Sequence, residues 1–128
     1  MTNTPHSPDS LARVHGFVHG MEVPPGSRML FVAGQVGWRA DGGLETGFEA
    51  QCERTFANVF EVLKSAGMGP GDIVRLNSYL TDPRDIGAFR AIRDRVMGGH
   101  LPASTLVVVN ALVHPDMRVE VECVAAKA

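Results

Sequence analysis

The alternation from Arg118 to Ala125, RVEVECVA, constrains this chain most. Successive side chains of a strand point to opposite faces, so Val119, Val121, Cys123 and Ala125 share one side and Arg118, Glu120 and Glu122 the other. Such a segment belongs in a sheet that buries one face and presents a polar one. Two carboxylates and a guanidinium then project together from one strand near the C-terminus. Upstream, Thr105 to Val109 is an apolar run with three consecutive valines. β-Branched residues suit a pleated surface, and a short run of this kind reads as a strand covered on both faces. His114-Pro115-Asp116 supplies turn chemistry between the two segments.

The rest of the chain supplies partners for these strands. Residues 1–10 are polar and contain proline, and read as a flexible N-terminal arm; residues 11–128 form a single domain. Arg13 to Met21 can form a first strand, with Val14 and Val18 as apolar members. After the turn at Val23-Pro-Pro-Gly-Ser27, Met29 to Ala33 is a compact apolar strand, which Gly34 ends or opens to a close backbone approach. Thr46 and Glu49 have capping-box spacing, and Phe48, Cys52, Phe56, Val59, Leu63 and Ala66 then recur at helical intervals up to a stop at Gly67. Ile73 to Leu80 alternates as a strand. Asp82-Pro83 opens a second helix with Ile86, Phe89, Ile92 and Val96 as its stripe, ended by Gly98-Gly99. The order β-β-α-β-α-β-β predicts an α+β fold, a mixed sheet covered on one face by two helices. So many strands in so short a chain predict that the uncovered face meets another subunit.

Composition excludes several classes of function. A net charge of −2 with neutral histidines gives no general attraction to nucleic acid, and no basic stretch suits a membrane surface. No apolar run is long enough to span a bilayer and the N-terminus lacks an apolar signal core, so the chain reads as cytoplasmic. Cys52 and Cys123 lack metal-ligand spacing and read as buried, reduced thiols. His6, His15, His19, His100 and His114 are scattered, and no metal is expected. There is no P-loop, dinucleotide fingerprint or nucleophile elbow, and Ser104 has no base placed by spacing. Glu120 is the candidate for chemistry: a strand glutamate facing a cleft can be raised in pKa by desolvation and deprotonate a water. Glu122 fits the same pattern, and the residues alone do not choose between them. The plainer reading of both is a solvated polar face paired with Arg118 or Arg75.

Over about 110 residues, in order and spacing, the chain resembles the reactive intermediate deaminase family, also called YjgF or endoribonuclease L-PSP. The matching stretches are Phe31-Val-Ala-Gly-Gln35, Gln51 with Asn58-Val59 and Leu63…Ala66-Gly67, Gly71-Asp-Ile-Val74, Pro102-Ala103, and Val119-Glu120-Val121-Glu122. The resemblance implies a chorismate-mutase-like domain and a homotrimer with intersubunit clefts. It also implies hydrolysis of enamines and imines to a 2-keto acid and ammonia, with no cofactor. The water-positioning glutamate falls on Glu120. The family's carboxylate-binding arginine, in a P-A-R motif, falls on Ser104, and its tyrosine near the end of the first strand on Phe17. Gly34, Ser104 and Leu106 would line the pocket.

The expected function is therefore a hydrolase or deaminase of a small imine, enamine or related reactive metabolite, from a branch lacking the arginine, with a substrate other than the usual 2-imino acids. The alternatives are a non-catalytic small-molecule-binding trimer and, ranked last, a ribonuclease or translation inhibitor. Arg90, beside the apolar stripe of the second helix, is the first candidate to replace the missing charge, with Arg118 and Arg75 behind it. The plainer reading of Arg90 is a surface arginine paired with Asp94.

Overall fold

The computed structural model describes residues 2–128. Its strands are β1 (Thr4–His6), β2 (Gly20–Glu22), β3 (Arg28–Gln35), β4 (Ile73–Leu80), β5 (Ala103–Val108) and β6 (Val119–Lys127), and its helices α1 (Phe48–Ser65) and α2 (Ile86–Met97). The main sheet runs β3-β6-β4-β5. The alternating C-terminal strand lies inside it, antiparallel to β3 and β4, while β5 is an edge strand parallel to β4.

The predicted alternation of β6 holds. Val119, Val121, Cys123 and Ala125 are buried against the helices, with Phe56, Leu63, Leu76, Leu80 and Phe89 in the same core. The Phe56 and Phe89 rings, 5.9 Å apart, join the two helices. The α1 stop is also as read. Gly67 takes φ 70°, and Gly67 and Met68 donate back to the Lys64 and Leu63 carbonyls. Asp82 accepts from the Arg84 amide, with Pro83 following, and α2 ends at Gly98 in the left-handed region.

Several expectations are corrected. Arg13 to Met21 is not one strand: residues 14–17 form a loop, and a single bridge joins Val18 to Ala103. Gly16, at φ 81°, turns the chain there. The short β2 pairs with β1, inside the stretch read as an arm, so these residues carry a small antiparallel sheet of their own. Thr46 and Glu49 form no capping box. The cap is Gly47, at φ 88° and ψ 156°, a region essentially closed to other residues, and no side chain caps the helix.

The two C-terminal strands are not neighbours, since β4 lies between β5 and β6. Val107 and Val108 are 39% and 41% exposed, because β5 is an edge in this chain and is not covered on both faces. The sheet face away from the helices is likewise open, with Phe31 74% exposed. Among the described residues no helix is long and apolar enough to cross a membrane.

Candidate active site

Two groups of residues emerge, on opposite sides of the sheet. The first lies on the open face. Val32 pairs with Cys123 and Gln35 with Val121, so two residues of β3 face one of β6. This irregularity brings Gly34 to the Glu120 side chain. A Cβ built on Gly34 would stand 1.9 Å from Glu120 Oε2. Gly34 is outside the left-handed region, so the glycine is needed for space and not for its φ.

Burial raises the proton affinity of Glu120, and the nearby Glu122 carboxylate raises it further. Among the described residues Glu120 has no hydrogen-bond or ion-pair partner. Glu122, by contrast, accepts a hydrogen bond from the Tyr79 hydroxyl. Tyr79 stands opposite Glu120 on β4, and the bond to Glu122 holds its phenol protonated above the usual range. The two glutamates, equivalent by sequence pattern, thus differ in structure: Glu122 is engaged by Tyr79 and Glu120 has no partner among the described residues. Further along the same face Arg75 donates to Thr105 at 2.6 Å, and the buried Asn77 Oδ1 has no partner among the described residues.

The second group lies at the start of β5, on the helix side. Ser104 and Leu106 are in register with the buried Leu76 and Ser78, and neighbours in a parallel pair share a face. The loop carrying Phe17 is tied here, because the Val18 amide donates to Pro102 O at 3.0 Å. One residue earlier, Gly16 lies directly on the Arg93 guanidinium; a Cβ there would stand 2.0 Å from Nη2. Arg93 is only 5% exposed. Its Nε donates to Asp94 at 2.9 Å.

The structure therefore brings Glu120 together with Gly34, and Phe17 together with the strand of Ser104 and Leu106. It does not join the two pairs within one chain. Arg90 is exposed on α2, in the helical layer, while Glu120 is on the far face. Arg118 is committed to Asp85 at 2.8 Å. Arg93 and Tyr79 escaped the sequence reading. Arg93 had a legible signal: it follows Phe89 by four residues and precedes Met97 by four, a charge inside a buried stripe. Tyr79 had only its shared face with Arg75 and Asn77, because its partner on β6 depends on strand register. Among the described residues no cluster of histidine, cysteine or carboxylate side chains is arranged to hold a metal ion.

Comparison with known proteins shows the family and the fold. The family model of endoribonuclease L-PSP matches residues 7–127. The mouse protein named 2-iminobutanoate/2-iminopropanoate deaminase is 30% identical over 102 residues, covering 78% of this chain and 75% of its own. The fission yeast mitochondrial protein mmf2 is also 30% identical over 102 residues, covering 77% of this chain and 80% of its own. Among solved structures, the Rid family protein YyfB from Yersinia pestis superposes with a TM-score of 0.90 at 33% identity, over 99% of this chain and 100% of that one. Escherichia coli TdcF, solved with bound serine, gives 0.75 at 25% identity, over 91% of each chain. With its fold, its matched length and these relatives in agreement, the chain belongs to the endoribonuclease L-PSP, or Rid, family.

Proposed function

We propose that this protein hydrolyses a small imine, or the imine tautomer of an enamine, with Glu120 as the base that activates water. The observation that carries the reading is the Glu120 carboxylate, half-buried over Gly34, raised in proton affinity and without a partner among the described residues. A carboxylate in that state is a better base than a solvated one. Glu120 takes a proton from water as the oxygen bonds to the imine carbon, and the C=N π electrons pass to nitrogen, which is protonated. The resulting carbinolamine breaks its C–N bond, expelling ammonia and leaving a carbonyl. The balance is one imine and one water to one carbonyl compound and one ammonia, with no redox step.

The site is composite. Glu120 and Gly34 face away from the helices and Phe17, Ser104 and Leu106 face toward them, so a neighbouring subunit is needed to unite the two halves. A homotrimer fits the exposed Phe31 and the uncovered valines of β5, which present more apolar surface than a lone domain needs. The imine deaminase names of the relatives support the reaction class. Ser104 offers a hydroxyl where the carboxylate-binding arginine is expected, so β5 supplies no charge to hold a substrate carboxylate.

Binding without turnover is the second reading, favoured by the TdcF relative with bound serine. Ribonuclease action has less support, because the open face presents two carboxylates and the net charge is −2. The test is ammonia release from imines generated in situ, with wild type and Glu120→Gln. Loss of general-base catalysis lowers kcat by about 10²- to 10⁴-fold. An unchanged rate removes Glu120 from the mechanism, and no turnover of any imine by wild type leaves the binding reading.

A further inference from the structure

Arg93 is a buried cation that the proposed hydrolysis does not yet use. Its side chain is 6% exposed, whereas its ion-pair partner Asp94 is 57% exposed. The pair is therefore lopsided, a buried guanidinium held by a largely solvated carboxylate through Nε alone. A guanidinium has five donors, and burying one is costly unless they are met. Nη1 and Nη2 make no hydrogen bond to a described residue, and neither is among the fully buried unpaired atoms, so both keep access to solvent. Asp94 Oδ1 and Arg93 Nη2 both lie within 3.3 Å of where a Gly16 Cβ would stand, so any side chain at 16 would strike the head.

The loop that closes over Arg93 is the one that carries Phe17, and its next residue is hydrogen-bonded to Pro102 at the start of β5. Ser104 lies two residues further on, with its side chain on the same helix side. The loop over Arg93 is thus tied to the strand on which Ser104 provides no charge. Of the three arginines expected to fill this role, Arg118 is tied to Asp85, Arg75 is on the opposite face bonded to Thr105, and Arg90 is exposed on α2.

We propose that Arg93 is a substrate-binding residue that receives a carboxylate, so that the imine taken by this site is an acid whose anionic group is held from α2 and not from β5. Binding there would supply the acceptors that the guanidinium lacks, in the charge-assisted geometry it favours. The inference rests on the imine-hydrolase reading for its substrate class, but its test does not.

The experiment titrates wild type, Arg93→Met and Arg93→Lys with 2-oxobutanoate and with butanone, followed by NMR. The two ligands are similar in size and differ in the carboxylate. Arg93→Met should weaken 2-oxobutanoate on the order of tenfold or more and leave butanone unchanged, and Arg93→Lys should recover part of the loss. Equal loss for both ligands, or retention of 2-oxobutanoate binding by the methionine variant, overturns the inference and leaves Arg93 as a clamp on the loop. If the methionine variant does not fold, the lysine variant decides: it keeps the charge but loses the planar fork, and it must lose 2-oxobutanoate affinity selectively. Failure of wild type to prefer the acid over the ketone also overturns it. Ammonia release by Glu120→Gln separates the two claims, since an unchanged rate there sinks the hydrolase reading whatever Arg93 binds.

Discussion

Gly34→Ala separates the catalytic reading of Glu120 from a merely structural one. The new Cβ would stand 1.9 Å from Glu120 Oε2, 2.9 Å from Cδ and 3.2 Å from Cγ. Moving Oε2 from 1.9 Å to the 3.4 Å of ordinary contact displaces the carboxylate by about 1.5 Å. Misplacing a reacting group by about 1 Å costs on the order of 10²-fold in rate. Stability should respond far less. The struck atoms are the end of a flexible side chain, and forcing it off its rotamer costs about 0.5–1.5 kcal/mol. Alanine at a compatible backbone position returns about 0.4–1 kcal/mol by restricting the unfolded chain. The assay is paired: ammonia release and thermal unfolding on the same preparation. The expected result is kcat down by about 10²-fold or more with Tm within about 8 °C of wild type. Full activity in a folded Gly34→Ala variant would refute the placement of the base.

Further outcomes follow from the same geometry. The rate should fall on the acid side as Glu120 takes up its proton; Glu122→Gln removes the neighbouring like charge, so that limb should move to lower pH, and an upward move in the pH–rate profile would contradict the coupling. The same shift bears on stability. A carboxyl raised in the folded state stabilises the fold at acid pH and progressively less as pH rises through its folded value, so Glu120→Gln should gain thermal stability relative to wild type at pH 8 more than at pH 4. Ser104→Arg should raise kcat/KM for 2-iminobutanoate by about tenfold or more by adding a guanidinium, and no gain in steady-state assays would show that β5 does not face the substrate acid. Cys52 and Cys123 are buried, with burial pushing both thiols up to about 12; a disulfide reagent should label them in native protein only at the rate of unfolding.

The fold was legible where local chemistry and pattern coincided. β6 shows its two faces in its own alternation, α1 shows its stripe and its Gly67 stop, and Asp82-Pro83 marks the entry to α2. The reading failed where a longer-range contact decided the outcome. Thr46 and Glu49 have the spacing of a cap, but the chain enters α1 through Gly47 while Gln51 bonds to the Glu45 and Asp116 carbonyls and the Arg118 amide. The valines of β5 read as a buried strand from their apolar run, but β5 is an edge strand and Val107 and Val108 stay exposed in this chain. For the site, Glu120 was legible as one of two equals. The Tyr79 bond to Glu122 and the bulge at Gly34, which separate them, depend on register between strands distant in sequence. Arg90 was favoured because it lies beside the stripe, yet the stripe itself contains Arg93.

The most direct test of a composite site with Glu120 in one half is subunit complementation. Glu120→Gln disables one half, and Ser104→Trp, on the other face of the sheet, fills the other. Each variant alone should form an oligomer without activity. Unfolded together in equal amounts and refolded, they assemble mixed trimers in which about a quarter of the sites draw an intact Glu120 and an intact Ser104 from different subunits. Ammonia release should return to about a quarter of the wild-type rate per site. No recovery from trimers shown to be mixed, or a monomer mass by light scattering, would contradict an intersubunit site.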